Sequence, residues 1–406
     1  MRLPPTNIGC VVPRRTLCDR STVDDAEPRQ QSPAIVRRVV AGATATAPAQ
    51  TRSLESTCPM PAITVLILSD GRPGHYNLSE GIAAAIGRLR PTEIKRIDVR
   101  RGRWPGRVTA MLTNARLPAR SMLRGVYRLD PSDLPGADIV VSAGAETLAA
   151  NVWVARTLDI PNVFYGSLRL FRPTDFSLVL TSYSRNAGLP RHALALKPSR
   201  TDPDRIPPAA RPVPLGPSAP PKTAALLIGG DAGGITYANT DWTRLLDFLT
   251  ASHDALGTRW LVSNSRRTPD ETSDRIARLA DQPRSPIDRF IDVRTANAPP
   301  LESLFAAAEA VVCTDDSSSM VSEAIWNMRP LVTVRPATFD LPHDEARYRA
   351  WLTGQRWQAS IALDQLSPMA FAQALAGIDP LKTNPLAALA DLLADRIPAL
   401  ADDGQT

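Results

Sequence analysis

Short, unbroken apolar runs alternate with longer helical patterns along this sequence. The alternation occurs twice, on either side of a stretch with nine prolines in 24 residues, Pro198 to Pro221. Ile63-Thr-Val-Leu-Ile-Leu68 opens the first series, and further strands are expected at 94–99, 138–142, 161–165 and 177–181. Helices are expected between them, at about 77–89, 105–127 and 146–157. The second series predicts strands at 223–228, 259–263, 288–292, 310–313 and 331–334. Its helices are expected at 240–251, 270–281, 300–308, 319–327 and 344–353, and stretches at about 365–376 and 384–396 close the chain. Strands buried on both faces read as continuous apolar runs, and the helices between them imply a parallel sheet covered on both sides. Each proline removes a backbone donor and fixes φ, so the segment between the two series cannot be the interior of a regular element. The expected fold class is α/β, with two doubly wound parallel-sheet domains.

The expected organisation is an N-terminal domain over 60–197, a Pro-rich linker over 198–221, a C-terminal domain over 222–360 and C-terminal helices over 361–406. Residues 1–59 lack hydrophobic periodicity. The acidic cluster Asp24, Asp25 and Glu27 is wrong for a mitochondrial transit peptide, and no 7–15-residue apolar core marks a secretory signal. Met60 stands just ahead of the first strand, so an extension preceding the true start is the simplest account, with a disordered tail as the alternative. Nowhere do the ~18–20 apolar residues of a membrane-spanning helix occur. Three of the four cysteines precede residue 60, which excludes a disulfide framework for the folded part. The four histidines, at 75, 192, 253 and 343, show no metal-ligand spacing.

The net charge of +6 conceals an asymmetry: +10 over residues 60–200 against −7 over 201–406. A dense run from Arg88 to Arg128 carries much of the positive charge. Such a face suits an anionic partner, and its alternative is a solvated arginine-rich helix surface. Nucleic acid is not expected, because only Trp104 and Tyr127 are interleaved in the run and no recognition motif accompanies it.

In doubly wound folds ligands bind outside the carboxyl ends of the strands, so the loops there matter most. Ser69-Asp70-Gly71-Arg72-Pro73-Gly74-His75 follows the first strand, and His75 would suit a general base. The competing reading has Asp70 and His75 capping the next helix while Gly71 and Gly74 serve the turn. Gly229-Gly230-Asp231-Ala232-Gly233-Gly234 offers consecutive amides at a strand end, without the spacing of a dinucleotide fingerprint. Ser263-Asn264-Ser265-Arg266-Arg267-Thr268-Pro269 could set guanidinium groups on a diphosphate. Ala310-Val-Val-Cys313 runs into Thr314-Asp315-Asp316-Ser317-Ser318-Ser319-Met320-Val321-Ser322-Glu323-Ala324. There, amides and hydroxyls at a helix N-terminus suit an anion, and Glu323, one turn on, could accept both hydroxyls of a ribose. Simple helix capping by the serines is the alternative.

Asp70-Gly-Arg-Pro-Gly-His-Tyr-Asn77, Gly229-Gly230, Ser265-Arg-Arg-Thr-Pro269 and the run Thr314 to Ala324 resemble the mitochondrial fission ELM (elongated mitochondria) family, in order, over about residues 62 to 360. That family is similar to GT-B glycosyltransferases, two Rossmann-like domains facing across a cleft. The last loop also resembles the donor site of the transferase that adds N-acetylglucosamine to make lipid II. The resemblance implies Ser317, Ser318, Ser319 and Met320 at a pyrophosphate and Glu323 at the ribose. Arg266, Gly229 and Gly230 would lie near the phosphate, and Asp231 matches no known role. Further expectations are His75 or Asp70 as the base, and Gly71, Arg72 and Gly74 on an acceptor-side loop. The activity implied is transfer of a sugar from a nucleotide-sugar to a cell-envelope acceptor. No metal and no cofactor beyond the nucleotide-sugar substrate is expected, since Asp315-Asp316 is adjacent and not spaced. The expected location is cytoplasmic, peripheral on the inner face of the plasma membrane, with an anionic surface or lipid-linked acceptor met by the basic domain. The alternative is a non-catalytic adaptor that keeps the fold and docks a protein partner at a membrane; in plants the family resemblance points to recruitment of a dynamin-like fission protein.

Overall fold

A computed structural model describes residues 62–206, 214–296 and 299–401. The expectations for residues 1–59 lie outside the described residues. In the first lobe, β1 (Ile63–Ser69) is buried along nearly its whole length. Pro73 starts α1 (Pro73–Leu89) four residues earlier than the apolar pattern suggests, because proline at a first helical position loses no hydrogen bond and has φ already set. Next come β2 (Thr92–Asp98), α2 (Gly106–Asn114) and α3 (Ala119–Met122), then β3 (Ile139–Ala143) and α4 (Leu148–Leu158). The lobe ends with β4 (Asn162–Tyr165), β5 (Leu178–Thr181) and β6 (His192–Leu194). All pairings are parallel, in the order β2-β1-β3-β4-β5-β6. Charged residues and partial exposure on β2 suit an edge strand, since charge there discourages pairing with another chain.

The second lobe contains β7 (Thr223–Leu227), β8 (Gly234–Thr236), α5 (Asn239–Leu256), β9 (Arg259–Ser263), α6 (Asp270–Ala280) and β10 (Ile287–Ile291). It continues with α7 (Glu302–Ala307), β11 (Ala310–Thr314), α8 (Ser318–Trp326), β12 (Leu331–Arg335), β13 (Thr338–Asp340), α9 (His343–Gly354) and β14 (Gln358–Ala362). Its six-stranded parallel sheet runs β10-β9-β7-β11-β12-β14, which with only this sheet's strands counted is the 3-2-1-4-5-6 order of a dinucleotide-binding fold. Strand order reverses between β1 and β3 in the first sheet and between β7 and β11 in the second. Loops after those strands therefore diverge and leave room for ligands.

Two readings of the sequence pattern need correction. The helix expected over 105–127 is broken after Asn114, where Arg116 takes a left-handed φ of 55° and Pro118 precedes α3. A wide helical turn over Leu123–Tyr127 then ends at Arg128, also at φ 55°. The sequence pattern also failed to show β6, β8, β13 and β14. Three of these have only three residues, and β14 (Gln-Ala-Ser-Ile-Ala) carries polar side chains in a strand that exists because β12 pairs with it.

The two final helices serve different lobes. α10 (Pro368–Ala376) places Phe371 and Leu375 in the second lobe's core. α11 (Pro385–Arg396) returns to the first lobe, where Leu386, Leu389 and Leu393 pack with Ile82 and Ile86 of α1. Trp326, at the end of α8, joins the same cluster, and its indole N–H donates to the Thr201 carbonyl at 2.8 Å. Asp202 accepts from Arg88 at 2.7 Å and from Asn384, the N-cap of α11, at 2.8 Å. The described part of the proline-rich crossing is thus tied to both lobes.

Candidate active site

The loop ends after β1, β3, β4, β5 and β6 face the N-terminus of α8 across a cavity of about 800 Å³. On the first lobe's wall, Asp70 is held by its position directly after β1, with its side chain only 3% exposed. One carboxylate oxygen accepts the Arg72 amide at 3.1 Å, and the other meets His75 Nδ1 at 2.8 Å. His75 is the third residue of α1, so the loop's proline start also sets the ring. With Nδ1–H donating to the Asp70 carboxylate, Nε2 is left as the ring's acceptor. The competing capping reading fails here, because Arg72 occupies the cap position of α1 and no side chain caps it. Gly144, after β3, has φ of 93°, and a Cβ there would collide with the His75 imidazole. A glycine is therefore required at that position for the ring to lie where it does.

On the second lobe's wall, β11 ends in Thr314 and the chain turns into α8 through Asp315, Asp316 and Ser317. Ser317 is the N-cap: its hydroxyl accepts the Met320 amide at 3.4 Å and meets Ser319 Oγ at 3.2 Å. Ser318, Ser319, Ser322 and Glu323 line the cavity, whereas Ser317 and Met320 are not part of its lining, and Met320 packs against the lobe's core. Glu323 is half-buried, and burial, reinforced by Glu302 and opposed by Arg200, pushes its carboxyl up to about 7. Among the described residues no hydrogen-bond donor contributes to holding that carboxylate. In its ionised form, a half-buried carboxylate without donors is poised to accept hydrogen bonds from a ligand's hydroxyls.

Arg266 is exposed at the cavity rim, after β9. Gly229 and Gly230 are not in the cavity. They are buried, the Gly229 amide donates to Thr314 Oγ1 at 2.6 Å, and the Gly230 amide donates to Asp316 at 3.2 Å. Their lack of side chains makes room for the Asp316 carboxylate and the Arg267 backbone, so the expected approach to phosphate is replaced by an internal packing role. Asp231 accepts the Tyr237 amide at 2.9 Å, tying the loop before β8 to the residue that follows it. Each aspartate of the Asp315-Asp316 pair has its own arginine: Arg349 at 2.6 Å for Asp315 and Arg267 at 2.7 Å for Asp316. Of the acceptor-side loop, Gly74 lines the same cavity, Arg72 lines a neighbouring one, and Gly71 supplies a φ of 79° at the turn.

One residue that sequence reasoning missed is Lys197, which follows β6. Its ammonium donates to Ser318 Oγ, pairs with Glu345 at 3.1 Å and lies 4.7 Å over the Tyr348 ring. Burial lowers its pKa, with Glu345 acting in the opposite direction. A first-lobe cation thus reaches the first turn of the second lobe's α8. Two signals existed: lysine is rare beside arginine in this chain, and Lys197 sits at a strand end. The second signal was hidden because β6 itself was not recognised.

Two Rossmann-like lobes, with a histidine–aspartate pair on one wall of the cleft and a helix N-terminus followed by a carboxylate on the other, define a protein of GT-B-like architecture. The chain belongs to the mitochondrial fission ELM1 family, whose profile matches residues 73–353. No curated protein sequence matches it. Among solved structures, a protein assigned as a UDP-N-acetylglucosamine 2-epimerase from Listeria monocytogenes is similar at 10% identity and a TM-score of 0.52. That similarity covers 83% of this chain and 96% of the other. The glycosyltransferase SnogD from Streptomyces nogalater is similar at 15% identity and a TM-score of 0.45, over 84% and 96% of the two chains. The Methanocaldococcus jannaschii UDP-GlcNAc 2-epimerase in complex with UDP-GlcNAc and UDP is similar at 12% identity and a TM-score of 0.45, over 83% and 99%. At these identities the likeness is one of fold.

Proposed function

We propose that this chain is a glycosyltransferase that takes a nucleotide-activated sugar on the second lobe's wall and transfers the sugar to a cell-envelope acceptor held by the first. The observation that supports this most is the convergence on one cavity of His75 and Lys197 from the first lobe with Ser318, Ser319, Glu323 and Arg266 from the second. The amides and hydroxyls at the start of α8, with Lys197 and Arg266, supply positive charge for a diphosphate. Glu323 accepts the ribose hydroxyls.

In the reaction, His75 Nε2 takes the proton of the acceptor hydroxyl, with Asp70 orienting the ring and stabilising the imidazolium. The acceptor oxygen forms a bond to the anomeric carbon while the bond from that carbon to the diphosphate oxygen breaks. The nucleoside diphosphate leaves with the electron pair, and its added charge falls on the α8 N-terminus, Lys197 and Arg266.

Isothermal titration of the full chain with UDP, other nucleoside diphosphates and their sugar conjugates tests the reading. At least one is expected to bind below millimolar concentration, with a Glu323→Ala variant binding it more weakly. No binding by any of them would sink the transferase and leave the non-catalytic adaptor as the reading to pursue.

A further inference from the structure

A second cavity, about 790 Å³, lies in the first lobe and shares Ala145 and Arg169 with the cleft. Asp70 lines this second cavity and His75 lines the cleft, so the histidine–aspartate pair stands at the junction of the two. Four guanidinium groups border it: Arg72, Arg101, Arg107 and Arg169. Arg101 pairs with Glu146 at 2.7 Å, yet its Nε is buried without a hydrogen-bond partner. For Arg72, Arg107 and Arg169, no carboxylate lies within ion-pair distance among the described residues. Positive charge gathered in a concavity with so few counter-charges raises the local concentration of anions.

Beyond it, sharing Arg107 and Leu170, lies a groove of about 450 Å³ that also takes in Ala110, Met111 and Arg172. Met111 is 63% exposed and Leu170 59% exposed, whereas Leu168 and Phe171, on either side of Leu170, are buried in the lobe's core. The turn that displays Leu170 is held in place. Arg169 has a left-handed φ of 55°, and Asn114 at the end of α2 donates to the Leu170 carbonyl at 2.9 Å. Large apolar side chains fixed in this way beside arginines suit a ligand with an anionic head and an apolar chain. No described helix is long and apolar enough to cross a membrane, so such a ligand would be met from the protein's surface.

We propose that this cavity and groove hold the acceptor, and that the acceptor is an anionic lipid. Its phosphate-bearing head sits among Arg72, Arg101, Arg107 and Arg169, its apolar chain lies along Ala110, Met111 and Leu170, and its reacting hydroxyl reaches the junction at His75. The word acceptor rests on the transferase reading, while the binding site itself does not.

The test measures binding of the full chain to dihexanoyl phosphatidic acid, to glycerol 3-phosphate, and to phosphatidylcholine vesicles with and without phosphatidic acid. The acylated phosphate is expected to bind about tenfold or more tightly than glycerol 3-phosphate, and vesicles to bind only when they contain phosphatidic acid. Arg107→Glu and Leu170→Asp are each expected to lower that affinity about tenfold while leaving the affinity for nucleoside diphosphates unchanged. Equal binding of glycerol 3-phosphate would make this a site for free phosphate and overturn the proposal, as would equal binding of pure phosphatidylcholine vesicles or indifference to both substitutions. Lipid binding without nucleotide binding would remove the transferase reading and leave an anionic-lipid site on a non-catalytic protein.

Discussion

Around the first lobe's cavity, the guanidinium groups of Arg72, Arg107 and Arg169 have no carboxylate within ion-pair distance among the described residues, whereas in the second lobe Arg267 and Arg349 are each paired with a buried aspartate. Both lobes are doubly wound sheets, and both place charged residues on loops after their strands. The difference lies in what the charges are for. In the second lobe they hold the loop from β11 to α8 against β7, β9 and α9, and the amides of Gly229 and Gly230 are used up in the same task. In the first lobe they face an opening. Removing one partner of a buried ion pair leaves the other charge uncompensated and is costly, whereas a guanidinium in a concavity with no carboxylate beside it is available to a ligand.

The comparison can be broken most sharply at His75. His75→Asn is expected to lower the transfer rate by about 10²–10⁴-fold while nucleotide affinity, read by titration, stays unchanged. Loss of binding together with rate would mean that the ring only shapes the cleft. Next comes a pair of arginine deletions. Arg349→Leu leaves Asp315 buried without its partner and is expected to cost about 3–5 kcal/mol of folding stability. Arg107→Leu is expected to stay within about 0.5 kcal/mol. Chemical denaturation of both variants measures the contrast, and equal costs would show that the first lobe's arginines are structural too.

Smaller effects sharpen the division. Glu323→Ala is expected to weaken nucleotide binding by about 1–3 kcal/mol, the cost of leaving ligand hydroxyls without acceptors. An unchanged affinity would take Glu323 out of the site. The same carboxyl gives a pH signature. Its value in the folded chain, about 7, lies above the ordinary 4.5, so the unfolded chain releases the proton first as pH rises. Folded-state stability is therefore intact below the ordinary value and is lost progressively as pH rises through about 7. Glu323→Gln removes that loss. The variant is expected to gain about 1–2 kcal/mol over the parent near pH 8, allowing for partial exposure, and nothing near pH 4. Thermal melts at the two pH values check this, and a gain of equal size at both would deny the titration.

Much of the architecture was legible because it depends on local pattern. Ile63-Thr-Val-Leu-Ile-Leu68 and Ala310-Val-Val-Cys313 could only be buried strands, and the prolines from 198 to 221 could only separate two series. The helix expected over 105–127 follows from apolar spacing that continues through Ala115–Pro118, whereas Arg116 and Pro118 end the helix by backbone geometry. Gly229 and Gly230 show the limit for the site. From sequence, paired glycines at a strand end suit a phosphate or a close neighbour equally well, and only the position of Asp316 and Arg267 decided between them.

The sequence by itself determined two α/β lobes, the loops that end their strands and the family to which the chain belongs, because strand burial and loop composition are written residue by residue. Tertiary structure alone decided which charges are spent and which remain. It paired Asp315 with Arg349 and Asp316 with Arg267, set Gly144 against the His75 ring, and brought Lys197 to Ser318 across 121 positions of chain. Those outcomes depend on which strand ends lie side by side at the reversals of strand order, and on how the crossing and α11 join the two lobes. Neither is carried by any single stretch of residues.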